Sequence, residues 1–89
     1  MKKEIKKIDA NTIIVENGDC TTDIFSYDSH IVTIKYETLD QKEEIILYEN
    51  WDYSPTTSKG RNKALNYLGF TELNTTDKIN NSKIVTFDF

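Results

Sequence analysis

Between Ser54 and Phe70 the chain carries a complete set of helix start and stop signals, and nowhere else does it do so. Ser54 suits the N-cap, because its hydroxyl can accept from an unpaired backbone N–H of the first turn, and Pro55 is preset for the first helical position. Arg61, Ala64, Leu65 and Leu68 then recur at helical spacing and form a narrow stripe. Gly69 supplies a left-handed residue past the end, with Phe70 placed to contact Leu65 as in a Schellman cap. One helix of about 14 residues follows. A lone amphipathic helix must bury its stripe against something else, and the remaining segments are patterned as strands.

Thr12-Ile13-Ile14-Val15-Glu16 is rich in β-branched residues and stops at Asn17-Gly18, a turn pair, so a first hairpin turns at Asp9-Ala10-Asn11. Strands are expected over Asp23–Tyr27 and His30–Thr38, separated by the turn residues Asp28 and Ser29. In the second of these, Val32, Ile34 and Tyr36 alternate with Thr33, Lys35 and Glu37. After a turn at Leu39-Asp40-Gln41-Lys42, alternation from Glu44 to Tyr53 predicts a long central strand running straight into the helix. An Asn-rich loop then leads to a last strand over Lys83–Phe89. The fold class is α+β, an antiparallel β-meander of five to six strands with one helix packed on one face.

The chain of 89 residues is one domain, 1–89. At this size about 60 to 65% of the unfolded surface is buried, so a single modest core must hold the fold. The apolar share of 37% and mean hydropathy of -0.59 are low, yet ten aromatic residues and many Ile and Val argue against disorder. No stretch approaches the ~18 apolar residues of a membrane span. Met1 to Ala10 lacks the apolar run of a signal peptide, and a lone Cys20 cannot form an internal disulfide. These observations lead to the expectation of a protein in the reducing cytoplasm, in which the sequons at Asn74 and Asn80 are chance matches.

Net charge is -4, and it is unevenly spread. Residues 16–52 hold ten acids against Lys35 and Lys42, whereas both flanking segments are slightly basic. An acidic block is either a solvated sheet face or a docking surface for a basic partner. In the second case Glu37, Asp40, Glu43, Glu44, Glu49 and Asp52 would occupy phosphate positions, with Tyr48 as aromatic anchor.

The head of the helix offers a competing site. Lys59 and Arg61 lie toward the positive end of the helix dipole, and Gly60 costs up to ~1 kcal/mol against Ala, so helix stability alone does not explain these choices. Thr56, Thr57, Ser58, Lys59, Arg61 and Lys63 could bind an anion or a nucleic-acid phosphate. Alternatively, Gly60 permits close helix-to-sheet packing while Lys59 and Arg61 pair with neighbouring acids. One Cys and one His do not make a catalytic pair, since Cys20 is flanked by Asp19 and Asp23 rather than by cations. No metal-ligand spacing is present, and neither a metal nor another cofactor is expected.

Tyr53-Ser54-Pro55-Thr56-Thr57-Ser58-Lys59 resembles a Tyr-Ser-x-Thr-Thr-x-Lys/Arg strand-to-helix motif of small accessory proteins of phages and mobile elements in low-GC bacteria. The resemblance implies a phage-encoded protein acting in the bacterial cytoplasm, in a group that includes anti-CRISPR inhibitors of host defence. The expectation is therefore a non-enzymatic inhibitor that places its acidic surface in the basic groove of a host nucleic-acid-targeting protein. Direct nucleic-acid binding through the helix head is the alternative. Apolar-edged strands and the helix are also compatible with a homodimer.

Overall fold

The β-branched run at 12–16 becomes the second strand of a six-stranded sheet whose spatial order follows the chain. The structure is a computed structural model that describes residues 4–36, 39 and 43–89. Its elements are β1 (Glu4–Asp9), β2 (Thr12–Glu16), β3 (Thr21–Ser26), β4 (Ser29–Lys35), β5 (Glu44–Tyr48), α1 (Pro55–Tyr67), a 3-10 turn at Thr71–Leu73, α2 (Thr76–Asn80) and β6 (Val85–Asp88). The first five strands form an antiparallel meander. The expected α+β architecture is present, and the turn expected over residues 39–42 lies largely outside the described residues.

Four expectations need correction. β6 pairs parallel with β5, not antiparallel, because α1 and α2 carry the chain back across the sheet before it re-enters. The strand expected to run to Tyr53 ends at Tyr48, where the Trp51 N–H donates to the Tyr48 carbonyl at 2.9 Å and turns the chain toward the helix. The segment expected to be only loop contains α2, whose N-cap Thr75 accepts from the Lys78 N–H at 3.2 Å. The hairpin between β3 and β4 also turns one residue earlier than expected. Tyr27 and Asp28 form its two-residue loop, both at positive φ, as a type I′ turn requires.

α1 has the predicted caps. The Ser54 hydroxyl accepts from the Thr57 N–H at 3.2 Å. At the other end Gly69 adopts φ 92°, and the Phe70 N–H reaches the Leu65 carbonyl at 2.8 Å. The helix lies over β1–β3 and delivers Ala64 and Leu65 to a core built by Ile14, Ile24, Val32, Ile34, Ile45 and Leu47. Phe70, Leu73 and Ile79 complete that core from the chain after α1. Each such side chain contributes about 1.5–3 kcal/mol by leaving water.

Gly60 allows the helix to come this close. A Cβ there would lie 1.8 Å from the Thr12 Oγ1, so any side chain would push α1 off β2. Packing thus explains the glycine that helix propensity disfavours.

Candidate functional site

Register places Ile13, Val15, Asp23, Phe25, His30, Thr33, Glu44, Ile46, Tyr48 and Asp88 on the sheet face opposite α1. Among the described residues no helix covers this face. Its apolar members Ile13, Val15, Phe25 and Ile46 remain half-buried, in contrast to the fully buried set beneath α1.

Three rings cross the middle of the open face. Phe25 stacks on His30 with centroids 4.9 Å apart, and His30 meets Tyr48 at 4.5 Å, joining β3, β4 and β5. A polar network runs beneath them. Tyr48 O–H donates to Thr33 Oγ1 at 3.0 Å, and Thr33 donates to Asp23 Oδ1 at 2.7 Å. The His30 Nε2 lies 3.0 Å from the same Asp23 oxygen and 2.9 Å from Thr33 Oγ1, while Asn17 Nδ2 donates to Asp23 Oδ2 at 3.0 Å. Burial pushes the Asp23 carboxyl up, but the bonds from Asn17 and Thr33 and the nearby His30 outweigh it and hold the group below its ordinary value.

This cluster contains a carboxylate, an imidazole and a hydroxyl, yet both contacts of the imidazole fall on one ring nitrogen. A nucleophile-activating relay needs the carboxylate on one nitrogen and the hydroxyl on the other. The arrangement fixes the ring stack in place instead. The chain matches no family model, no curated protein and no solved structure.

The predicted acidic surface is only partly assembled. Glu44 and Tyr48 share the open face with Asp23 and Asp88, and Glu43 and Glu49 flank the ends of β5. Tyr48 is half-buried and anchored through its hydroxyl rather than free. Glu44 accepts from the Thr86 hydroxyl at 3.2 Å. Asp52 belongs elsewhere, on the helix side, where Ser58 and Arg61 donate to it. Glu37 and Asp40 lie outside the described residues.

The helix-head set divides in two. Arg61 and Thr57 point inward, with Arg61 0% exposed and Thr57 2% exposed. The guanidinium of Arg61 donates to the Trp51 carbonyl at 2.9 Å, to Asp52 Oδ1 at 3.2 Å, to Asn62 Oδ1 at 2.9 Å and to Thr76 Oγ1 at 2.7 Å. It also lies over the Trp51 ring, 5.0 Å from its centroid. Of the two roles the sequence leaves open for Arg61, the structure gives it the internal one. Lys59 and Lys63 remain exposed and line a groove with Pro55 and Thr56, but Asp9 lines it too and is attracted to Lys63. Ser58 is turned toward Asp52.

Sequence reasoning misses Asp23, Phe25, His30 and Thr33 as a group. Their relation depends on hairpin register: a two-residue turn at Tyr27-Asp28 aligns Phe25 with His30 but Asp23 with Val32, and only the register shift between Ile24 and Phe25 brings Thr33 opposite Asp23.

Proposed function

We propose that this chain is a non-enzymatic binding protein that docks through the helix-free face of its sheet. In keeping with the strand-to-helix motif, its role is that of a mobile-element inhibitor of a nucleic-acid-targeting host defence protein. The observation that carries the reading is the Phe25–His30–Tyr48 row of rings, tied to the Asp23–Thr33 network and bordered by Glu44 and Asp88. Preordered aromatic anchors lose little conformational entropy on binding, and the carboxylates around them suit a partner whose own ligand is a phosphate backbone.

The test is capture of a host nucleic-acid-targeting protein by the intact chain at low and high salt, followed by assay of that protein's nucleic-acid cleavage. Capture that weakens between about 50 and 500 mM salt and is lost on joint reversal of Glu43 and Glu44 to Lys supports docking through the acidic border. Inhibition insensitive to both changes would sink it.

A second reading, phosphate binding by Lys59 and Lys63, is favoured by their position on one groove beside the start of α1. Asp9 in that groove opposes it. A gel shift at low salt, abolished by joint replacement of Lys59 and Lys63 with Ala, would transfer the function to the helix head.

A further inference from the structure

At the end of the sheet where the β3–β4 hairpin meets the approach to α1 there is a cleft of about 480 Å³, a size ordinary for a small-molecule site. Two tyrosines belong to its wall, Tyr27 from the hairpin tip and Tyr53 from the residues before the helix, and they are 55% and 76% exposed. Among the described residues no charged side chain lines it.

The polar side of the lining is formed by hydroxyls whose donors and acceptors can be counted. Ser26 and Thr57, each 2% exposed, face one another, with Ser26 Oγ donating to Thr57 Oγ1 at 3.3 Å. Thr57 Oγ1 lies 3.1 Å from Ser54 Oγ, which already accepts from the Thr57 N–H. Where the Thr57 O–H donates to Ser54, the Ser54 O–H is left to donate outward, and the lone pairs of Ser26 are left to accept. Asn50 adds an amide with both capacities. The lining therefore offers donors and acceptors together with aromatic surface and no charge.

Tyr27 stands on this wall at a conformational cost. Its φ of 50° lies in the left-handed region that favours glycine or asparagine, and a bulky residue there is a genuine outlier. A turn selected for stability alone would use Asn-Gly. The tyrosine ring at that position calls for a reason outside the turn.

We propose that this cleft binds an uncharged ring ligand with a hydrogen-bonding rim, of the size of a saccharide unit or a nucleoside, with Tyr27 and Tyr53 packing on its faces. The ring would rest against aromatic surface while its rim hydrogen-bonds with Ser54, Ser26 and Asn50. A phosphate meets no cation among the described residues of the lining, and the net charge of -4 opposes a polyanion. The cleft adjoins the open sheet face proposed for the protein partner, because Tyr27 also lines a groove with Ile13, Val15 and Phe25.

The experiment is an amide-resolved NMR titration of the full chain with neutral mono- and disaccharides, with uncharged nucleosides and with a nucleoside monophosphate. Saturable shifts centred on residues 26–29, 50–54 and 57 are expected with one neutral series, which identifies the source. Tyr53→Ala should weaken that binding roughly tenfold, given the size of aromatic contacts. Tyr27→Asn should weaken it similarly while raising the thermal midpoint, because it removes the wall and relieves the turn. The proposal is overturned if no neutral ligand gives saturable shifts, if the shifts survive both tyrosine variants, or if the monophosphate binds more tightly than its nucleoside.

Discussion

Arg61 is wholly buried, and its guanidinium closes on the main-chain carbonyl of Trp51 while its plane lies over the Trp51 ring. One side chain thereby joins the β5–α1 turn, α1 itself and, through Thr76, the start of α2. Loss of the guanidinium would leave the Trp51 carbonyl without a donor, whereas Asp52, 39% exposed, can turn to water, so Arg61→Ala is expected to destabilise the fold by about 1–3 kcal/mol through the unpaired carbonyl. Lys at this position retains the charge but not the planar fork, and it should recover less than half of that loss. Urea unfolding of the two variants measures both numbers. Weak nucleic-acid binding by Arg61→Ala would then need to be corrected for its unfolded fraction.

Gly60 gives a prediction opposite to helix propensity. Alanine should favour α1 by up to ~1 kcal/mol, yet its methyl would meet the Thr12 Oγ1 at 1.8 Å. The clash dominates, because β2 cannot yield without moving Ile14, and a net loss of about 1–3 kcal/mol is expected. Pairing Gly60→Ala with Thr12→Ala removes the nearest atom and should restore part of the stability in a double-mutant cycle.

Asp23 and Asp52 contribute to the acid limit of the fold, as does Asp9. Burial pushes each carboxyl up, and hydrogen bonds more than compensate, from Asn17 and Thr33 to Asp23 and from Ser58 and Arg61 to Asp52. Both folded values lie below the ordinary 3.8. A depressed carboxyl contributes stability that is complete above its unfolded value and disappears as pH falls through the folded one. The urea midpoint should therefore be insensitive to these two groups at neutral pH and fall steeply below about pH 4. Asp23→Asn combined with Asp52→Asn should flatten that acid limb while lowering stability at pH 7.

Much of the fold is legible from local chemistry. β2 begins and ends where its β-branched run does, and α1 follows its Ser54, Pro55 and Gly69 signals because caps act within one turn of the residues that make them. The errors arise where distant groups decide. Alternation continues through Trp51 and Tyr53, but Trp51 leaves the strand pattern to lie under Arg61, a residue ten positions on that sequence offers equally to solvent. The direction of β6 depends on how the chain crosses the sheet, which no pattern within residues 83–89 records. The Asp23–Thr33 network is hidden for a related reason: each residue is an ordinary polar position on its own strand, and only register makes them neighbours.

Tyr48 separates anchoring from docking. Tyr48→Phe keeps the ring beside His30 and deletes only the O–H that reaches Thr33, at an expected cost of about 0.5–1.5 kcal/mol in stability. Tyr48→Ala removes the ring as well, leaving one side of His30 without its aromatic neighbour. If the open face is the contact surface, Phe should retain most of the affinity for the captured host protein, whereas Ala should lower it by roughly tenfold or more, as loss of an aromatic anchor does. Calorimetric titration at a temperature where both variants are fully folded measures the difference. Equal affinities for Phe and Ala would place the partner on another surface, because a ring held by two neighbours and half open to solvent cannot lie at an interface without contributing to it.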